Sequence, residues 1–263
     1  AQLPAVIVDV MRAGPNLGTI GPSQSDYFQA TRGGGHGDYR TVVLAPCSIQ
    51  ETVDLMQEAF DIADQYRNPV ILLADGMIGQ MMEPIEWHDI PKRELPEKTW
   101  ATDGHDNKVP HRTISAVFGD NYVCEEVLNK PLAAKYRLIA ANEVRYEEKD
   151  TADAEVVLVA YGTMSRVSER ACEILREQGI RAGLFRPIVL WPYPEARLHE
   201  LAAQEQTKCF LSVEMSDGQM IDDVRISVAG QKPVSFVGRN GGVVPTPDEI
   251  VDAVKKALAE VKA

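Results

Sequence analysis

Short apolar runs alternate with amphipathic stretches along this 263-residue chain, and that alternation is what most narrows the folds open to it. Thr41-Val42-Val43-Leu44-Ala45 is too short for a helix and carries no charge, so it reads as a strand buried on both faces. Pro46 then leads into Ser48-Ile49-Gln50-Glu51, with a hydroxyl and a carboxylate at capping-box spacing. Val53, Met56, Phe60 and Ala63 recur at helical spacing, broadened by Leu55, Ala59 and Ile62, and carry the helix to about Tyr66. Asn68-Pro69 ends it. Val70-Ile71-Leu72-Leu73 is the next strand, closing on Asp75-Gly76, and the three elements describe a parallel βαβ unit.

The same alternation returns in the last third. Glu155 to Ala160 reads as a strand ending at Gly162-Thr163, followed by a helix on Val167, Ala171, Ile174 and Leu175 that Gly179 should stop. Ile180 to Phe185 is a strand, Pro194 opens a helix carrying Leu198, Leu201 and Ala202, and further strands lie at Lys208 to Val213 and Val234 to Val237. A last helix starts at the box Thr246-Pro247-Asp248-Glu249 and buries Ile250, Val251, Val254, Leu258 and Val261. Between these units, prolines at 84, 91, 96, 110 and 131 break every period, so residues 84–150 read as an excursion and linker ending in the solvated charge run Glu147-Glu148-Lys149-Asp150. The division is therefore 1–83, 84–150 and 151–263.

Ala5 to Val10 has the composition of a fully buried strand, which wants neighbours on both sides, and the first residue is Ala rather than Met. The expectation is a truncated chain whose first domain lacks an upstream half. The formal charge of −12 and the lack of a basic patch argue against nucleic acid, and no apolar run could cross a bilayer. With no secretory leader evident, the cytoplasm is the default location. The four cysteines Cys47, Cys124, Cys172 and Cys209 lack metal-ligand spacing and read as buried thiols, so no metal site is assigned to this chain.

Several motifs allow a chemical and a plain reading. Gly33-Gly34-Gly35-His36-Gly37 follows a helix and precedes a strand, the reverse of a dinucleotide fingerprint. His36 and Asp38 are candidates for orienting one another at an active site, or members of a turn. Gly162-Thr163 stands where an anion could bind a helix start, or where close packing needs a glycine. Asp103, His105 and Asp106 could chelate a cation or belong to a solvated loop, and His88, His111 and His199 add no ligand spacing. Arg12 ends a strand at the carboxyl edge of a parallel sheet and opens a loop rich in glycine and proline, where a guanidinium can take a carboxylate through two parallel bonds. A solvated or ion-paired arginine remains the alternative.

Longer stretches resemble a known family. Val10-Met11-Arg12-Ala13-Gly14-Pro15, Ser23 to Ala30, Gly35-His36-Gly37-Asp38, Pro46-Cys47-Ser48-Ile49-Gln50-Glu51, Tyr161-Gly162-Thr163, Leu190-Trp191-Pro192-Tyr193-Pro194 and Glu214 to Met220 are similar, in that order, to the α subunit of 2-oxoacid:ferredoxin oxidoreductases. The resemblance implies a partial thiamine-diphosphate-binding, pyrimidine-type, three-layer parallel-sheet domain followed by a transketolase C-terminal-like α/β domain that serves assembly. It implies oxidative decarboxylation of a 2-oxoacid, with electrons passed to ferredoxin and the acyl group taken by coenzyme A. It puts thiamine diphosphate and Mg2+ mainly on a partner β subunit and [4Fe-4S] clusters on γ and δ subunits, leaves no catalytic residue in this chain, and makes Arg12, Gly14, Asn16 and Leu17 substrate-binding. Relatives that act on 2-oxoglutarate carry more hydroxyls where this chain has Asn16-Leu17-Gly18-Thr19-Ile20, so the loop resembles the branched-chain (2-oxoisovalerate, 3-methyl-2-oxobutanoate) subgroup. The 2-oxoglutarate and pyruvate types, and a non-catalytic assembly subunit, are the alternatives.

Overall fold

The computed structural model describes residues 1–102, 104 and 119–262, so the readings on Asp103, His105, Asp106 and His111 lie outside the described residues. A first sheet has the order β1 (Ala5–Met11), β3 (Pro69–Asp75), β2 (Val42–Leu44) and β7 (Val189–Trp191). The first three strands run parallel, and α2 (Ile49–Tyr66) connects β2 to β3 as the periodicity requires. Ser48 caps α2 by accepting from the Glu51 amide at 3.1 Å, and Glu51 reaches back to the Cys47 amide at 2.7 Å. A second sheet has the order β4 (Tyr146–Lys149), β6 (Ala182–Pro187), β5 (Val156–Val159), β8 (Cys209–Glu214) and β9 (Val234–Gly238).

Helices and sheets form layers. α2 and α4 (Lys130–Asn142) cover one face of the first sheet through Leu55, Ile62 and Ile139, while α5 (Gly162–Glu177) and α8 (Pro247–Lys262) cover one face of the second through Ala171, Leu175 and Val254. The remaining faces share one core. Met11, Val43 and Leu73 from the first sheet lie in the same cluster as Val157, Phe185 and Phe210 from the second. Side chains of α1 (Tyr27–Arg32), α6 (Glu195–Ala203) and α7 (Met220–Val228) complete it. No helix among the described residues is long and apolar enough to cross a membrane.

Terminal signals behave as their chemistry dictates. Gly179 at φ 81 closes α5, with the Ile180 amide on Leu175 O and the Gly179 amide on Arg176 O, both at 2.9 Å. At α8 the Glu249 carboxylate accepts from the Thr246 amide at 2.8 Å and Thr246 accepts from the Glu249 amide at 3.3 Å.

Other expectations need correction. β1 is a strand but not a buried one: among the described residues it pairs with β3 alone, and Ile7, Val8 and Val10 are about half exposed. In α2 the buried face is Leu55, Ala59, Ile62, Ala63 and Tyr66, leaving Phe60 exposed. The stretch without a period contains α3 (Asn121–Cys124), a π-helical turn over Glu125–Asn129, and α4. The alanines, lysines and leucines of α4 favour helix without a wide apolar stripe, and Ile139 is its one buried residue. The charge run at 147–150 is an edge strand for three of its residues, antiparallel to β6. Of the cysteines, Cys172 and Cys209 are buried but Cys47 and Cys124 only half-buried, and all four are free thiols.

One ion pair joins the layers. Arg186 on β6, 4% exposed, donates to both oxygens of Glu51 at 2.8 and 2.9 Å and to Glu147 across the β4–β6 pair at 2.9 Å. Removing one partner of a buried pair leaves the other charge uncompensated. Arg186→Ala should therefore lower stability by about 2–4 kcal/mol, discounted for the exposure of Glu147, as read from the urea midpoint. Arg186→Lys should recover only part of it, because the two-pronged contact is lost.

Candidate functional site

The chain leaves β1 at Met11 and turns back on itself within ten residues. The Ala13 amide donates to Gly21 O and the Thr19 amide to Ala13 O, both at 3.0 Å, while Arg12 bridges Pro22 in antiparallel fashion. Gly18 sits at φ +59 with Ala13 O only 1.8 Å from where a β-carbon would stand, so only glycine fits the turn. Inside the loop one Arg12 terminal nitrogen, Nη1, donates to Leu17 O and Thr19 O. That fixes the guanidinium plane. Its Nε and Nη2 have no partner among the described residues, and the side chain is exposed, so the two-donor edge of the fork is free to take a carboxylate.

Of the loop residues singled out by sequence, Asn16 adopts a left-handed backbone at φ 59 and is exposed, and Gly14 has open space where a β-carbon would stand. Leu17 is 79% and Ile20 89% exposed, so the loop offers apolar side chains to whatever approaches Arg12. Two carboxyls that sequence reasoning missed belong to the surroundings, Asp26 within reach of the Arg12 charge and Asp9 within reach of Asp26. Asp9 is raised by burial and by the Asp26 charge, and Asp26 is raised by burial against the opposing pull of Arg12. An aspartate inside an otherwise apolar strand was the available signal for the first. His36 and Asp38 are exposed on the glycine loop after α1 and join neither each other nor the Arg12 loop by hydrogen bond or ion pair among the described residues. The glycines there are instead held by the Tyr39 hydroxyl, which accepts from the Gly34 and Gly35 amides at 2.8 and 3.0 Å.

Behind the loop, the segment that follows it is bolted to the second sheet. The Gln24 side chain donates to Tyr161 O at 2.9 Å and accepts from the Met215 amide at 3.0 Å, and its own amide donates to Met215 O at 2.8 Å. The Gln219 side chain accepts from the Phe28 amide at 2.7 Å and donates to Ser25 O at 2.6 Å. At the end of β3, Asp75 is 1% exposed and accepts from the Thr163 amide and hydroxyl, both at 2.7 Å, and from the Met77 and Ile78 amides at 3.2 Å. Burial raises its pKa against those donors. The helix start at Gly162-Thr163 is thus filled by an anion belonging to the chain itself.

The pattern repeats. Glu214 fills the start of α7, accepting from the Gln219, Met220 and Ile221 amides at 2.8, 3.1 and 2.9 Å, and Glu83 accepts from the Ile49 amide at 2.9 Å at the start of α2. The amides that would hold a diphosphate are spent. Among the described residues no group of three or more His, Cys, Asp or Glu could hold a metal ion. Among the described residues, therefore, nothing offers a donor set for magnesium or for an iron–sulfur cluster, and three helix starts that could take a diphosphate already hold carboxylates of the chain. Burial pushes the Cys47 and Cys172 thiols up to about 12 and Cys209 to about 11, so they stay protonated. A cavity of about 800 Å³ lined by Arg40, Trp191, Tyr193 and Ile226, among others, includes no residue of the Arg12 loop.

Comparison with known proteins gives this geometry a context. Residues 1–150 match the family model described as pyruvate flavodoxin/ferredoxin oxidoreductase, thiamine diphosphate-binding, and residues 154–250 match pyruvate:ferredoxin oxidoreductase core domain II. The ketoisovalerate oxidoreductase subunit VorB of Methanothermobacter marburgensis is 47% identical over 260 residues, which cover 99% of this chain and 72% of that protein. The 2-oxoglutarate synthase subunit KorA of the same organism is 32% identical, covering 96% of this chain and 73% of that protein. The fold matches that of a 2-oxoglutarate:ferredoxin oxidoreductase from Magnetococcus marinus, solved with 2-oxoglutarate, coenzyme A and succinyl-CoA bound, with a TM-score of 0.81. Identity there is 23%, over 98% of this chain and 49% of that one.

The contact of Asp75 with the start of α5 can be tested directly. Gly162 is at φ +57, and a β-carbon there would lie 2.5 Å from an Asp75 carboxylate oxygen. Gly162→Ala should cost about 2 kcal/mol or more in a denaturant titration, from backbone strain and displacement of that carboxylate.

Proposed function

Because the chain belongs to the thiamine-diphosphate-binding pyruvate flavodoxin/ferredoxin oxidoreductase family, we propose that it is the α-type subunit of an enzyme that oxidatively decarboxylates branched-chain 2-oxoacids to acyl-CoA. Electrons would pass to ferredoxin. The observation that carries the branched-chain reading is the 47% identity to a ketoisovalerate oxidoreductase subunit, against 32% to a 2-oxoglutarate synthase subunit. The loop chemistry supports it. Leu17 and Ile20 extend from the turn that carries Arg12, where a branched apolar tail would find partners and a second carboxylate would find none on the loop beyond Arg12.

In this reading Arg12 holds the substrate carboxylate on its Nε–Nη2 edge, while the bonds from Nη1 to Leu17 O and Thr19 O keep that edge oriented. Asn16 and Gly14 shape the turn. The proposal gives His36 and Asp38 no part in binding, since both are exposed and unpartnered among the described residues. Thiamine diphosphate would supply the carbanion chemistry when bound. Because the helix starts of this chain are filled by Asp75, Glu83 and Glu214, we assign the diphosphate and Mg2+ to a β subunit, and the [4Fe-4S] clusters to γ and δ subunits. The complex is proposed to work in the cytoplasm, where free thiols such as those of Cys172 and Cys209 stay reduced.

The test is made on the assembled multi-subunit enzyme. Turnover of 2-oxoisovalerate should exceed that of 2-oxoglutarate and pyruvate, and a preference for either of the latter overturns the substrate assignment. Arg12→Ala should lower kcat/KM for the 2-oxoacid by about 10- to 100-fold, the worth of a charge-assisted contact, with the subunits still associated. Weakened association with an unchanged KM would mark this chain as an assembly subunit whose loop is an interface.

A further inference from the structure

The loop that carries Arg12 does not stand on the first sheet alone. Its far side lies against the turn after β9, at residues 240–242. Gly21 and Gly242 approach so closely that a β-carbon on Gly21 would lie 2.7 Å from the Gly242 α-carbon and 3.3 Å from the Gly242 oxygen. The reverse holds too, with a β-carbon on Gly242 2.9 Å from the Gly21 α-carbon. Beside this contact the Thr19 hydroxyl donates to Gly241 O at 3.4 Å, and Thr19 O is one of the two carbonyls that hold the Arg12 guanidinium. Gly21 O accepts from the Ala13 amide next to Arg12. Both residues that touch the turn therefore also touch the arginine or its neighbour.

The turn is itself held. The Asn240 side chain donates to Asp217 at 2.8 Å and accepts from the Gly241 amide at 2.7 Å. Arg239 pairs with Glu249 in the first turn of α8. A chain of contacts thus runs from α8 through Arg239 and Asn240 to Gly242, then to Gly21, Thr19 and Arg12.

Resting on the reading of Arg12 as the carboxylate-binding residue, we propose that the C-terminal α/β domain positions the substrate loop through the Gly21–Gly242 backbone contact. Gly21, Gly242 and Asn240 are then positioning residues for the 2-oxoacid, and the domain serves substrate affinity as well as assembly. The closest approach is backbone to backbone, with the short Thr19 hydroxyl beside it, so a β-carbon added to either glycine meets atoms that have to shift. A displacement of the loop by about 1 Å moves the donor edge of Arg12 off its carboxylate while leaving the rest of the fold in place.

Gly21→Ala and Asn240→Ala, made in the assembled enzyme, test this. Gly21→Ala should raise KM for the branched-chain 2-oxoacid about tenfold with kcat changed by less than about twofold. KM for coenzyme A and subunit association should stay at their parent values, and any local strain from the added β-carbon is read separately in Tm. Asn240→Ala, which adds no volume, should shift the same KM in the same direction by a smaller factor, and it decides the matter if Gly21→Ala fails to assemble. A parent KM in Gly21→Ala while Arg12→Ala raises it overturns this inference and spares the carboxylate role. A parent KM in Arg12→Ala removes the carboxylate role and with it this inference. A joint fall in Tm, kcat and coenzyme A affinity also overturns it, by making the contact merely structural.

Discussion

Two sheets that bury their inner faces in one apolar layer impose a condition on everything at their edges. Met11, Val43 and Leu73 meet Val157, Phe185 and Phe210 in a continuous core, so the loops at the strand ends are pressed together with little room for water. A polar group caught there is favoured to find its partner within the chain, since an unpaired buried donor or acceptor costs about 1–3 kcal/mol. Gln24 answers that condition with both ends of its amide, and Asp75 with four donors. Glu214 does the same through Ser212, Ser216 and three helix amides. These bonds make the two halves one mechanical object, on whose rim the Arg12 loop is mounted.

The same condition bears on ligand chemistry. A helix start at the edge of a parallel sheet ordinarily offers amides to a phosphate. Here carboxylates of the chain occupy three such starts, and what is left exposed at the rim is a guanidinium edge with Leu17 and Ile20 beside it. In the proposed reading that edge takes a carboxylate and those side chains its apolar tail. Asp26, its acidity weakened by burial, stands close enough to Arg12 to feel its charge without forming an ion pair with it, and Asp26 in turn weakens the acidity of Asp9.

Much of this was legible before any coordinates. Turn chemistry carries its own geometry, which is why Ser48, Gly179 and the Thr246–Glu249 box stand where their types dictate. Arg12 could be singled out because a strand end followed by a glycine loop is a local pattern. Long-range pairing was not legible. Apolar content cannot distinguish a central strand from an outer one, so β1 read as buried although its neighbour lies on one side only. Glu148 read as solvated because its partner, Arg197, is about 50 residues away along the chain, whereas Glu147 is exposed as read although it pairs with Arg186. Asp75 and Thr163 come together only when both sheets exist, so of the two readings of Gly162-Thr163 the close-packing one could not name its partner.

β7 carries a consequence for how the molecule is made. Val189–Trp191 follow a strand of the second sheet in the chain, yet they lie antiparallel beside β2 in the first. During synthesis the first sheet cannot reach its final width until the segment around residue 191 has left the ribosome, by which point two strands of the second sheet's parallel set already exist. Folding of the two halves is thereby coupled in time as well as in space. A nascent chain holding only the first three strands would keep the outer edge of β2 unpaired, and such edges are where growing chains associate wrongly.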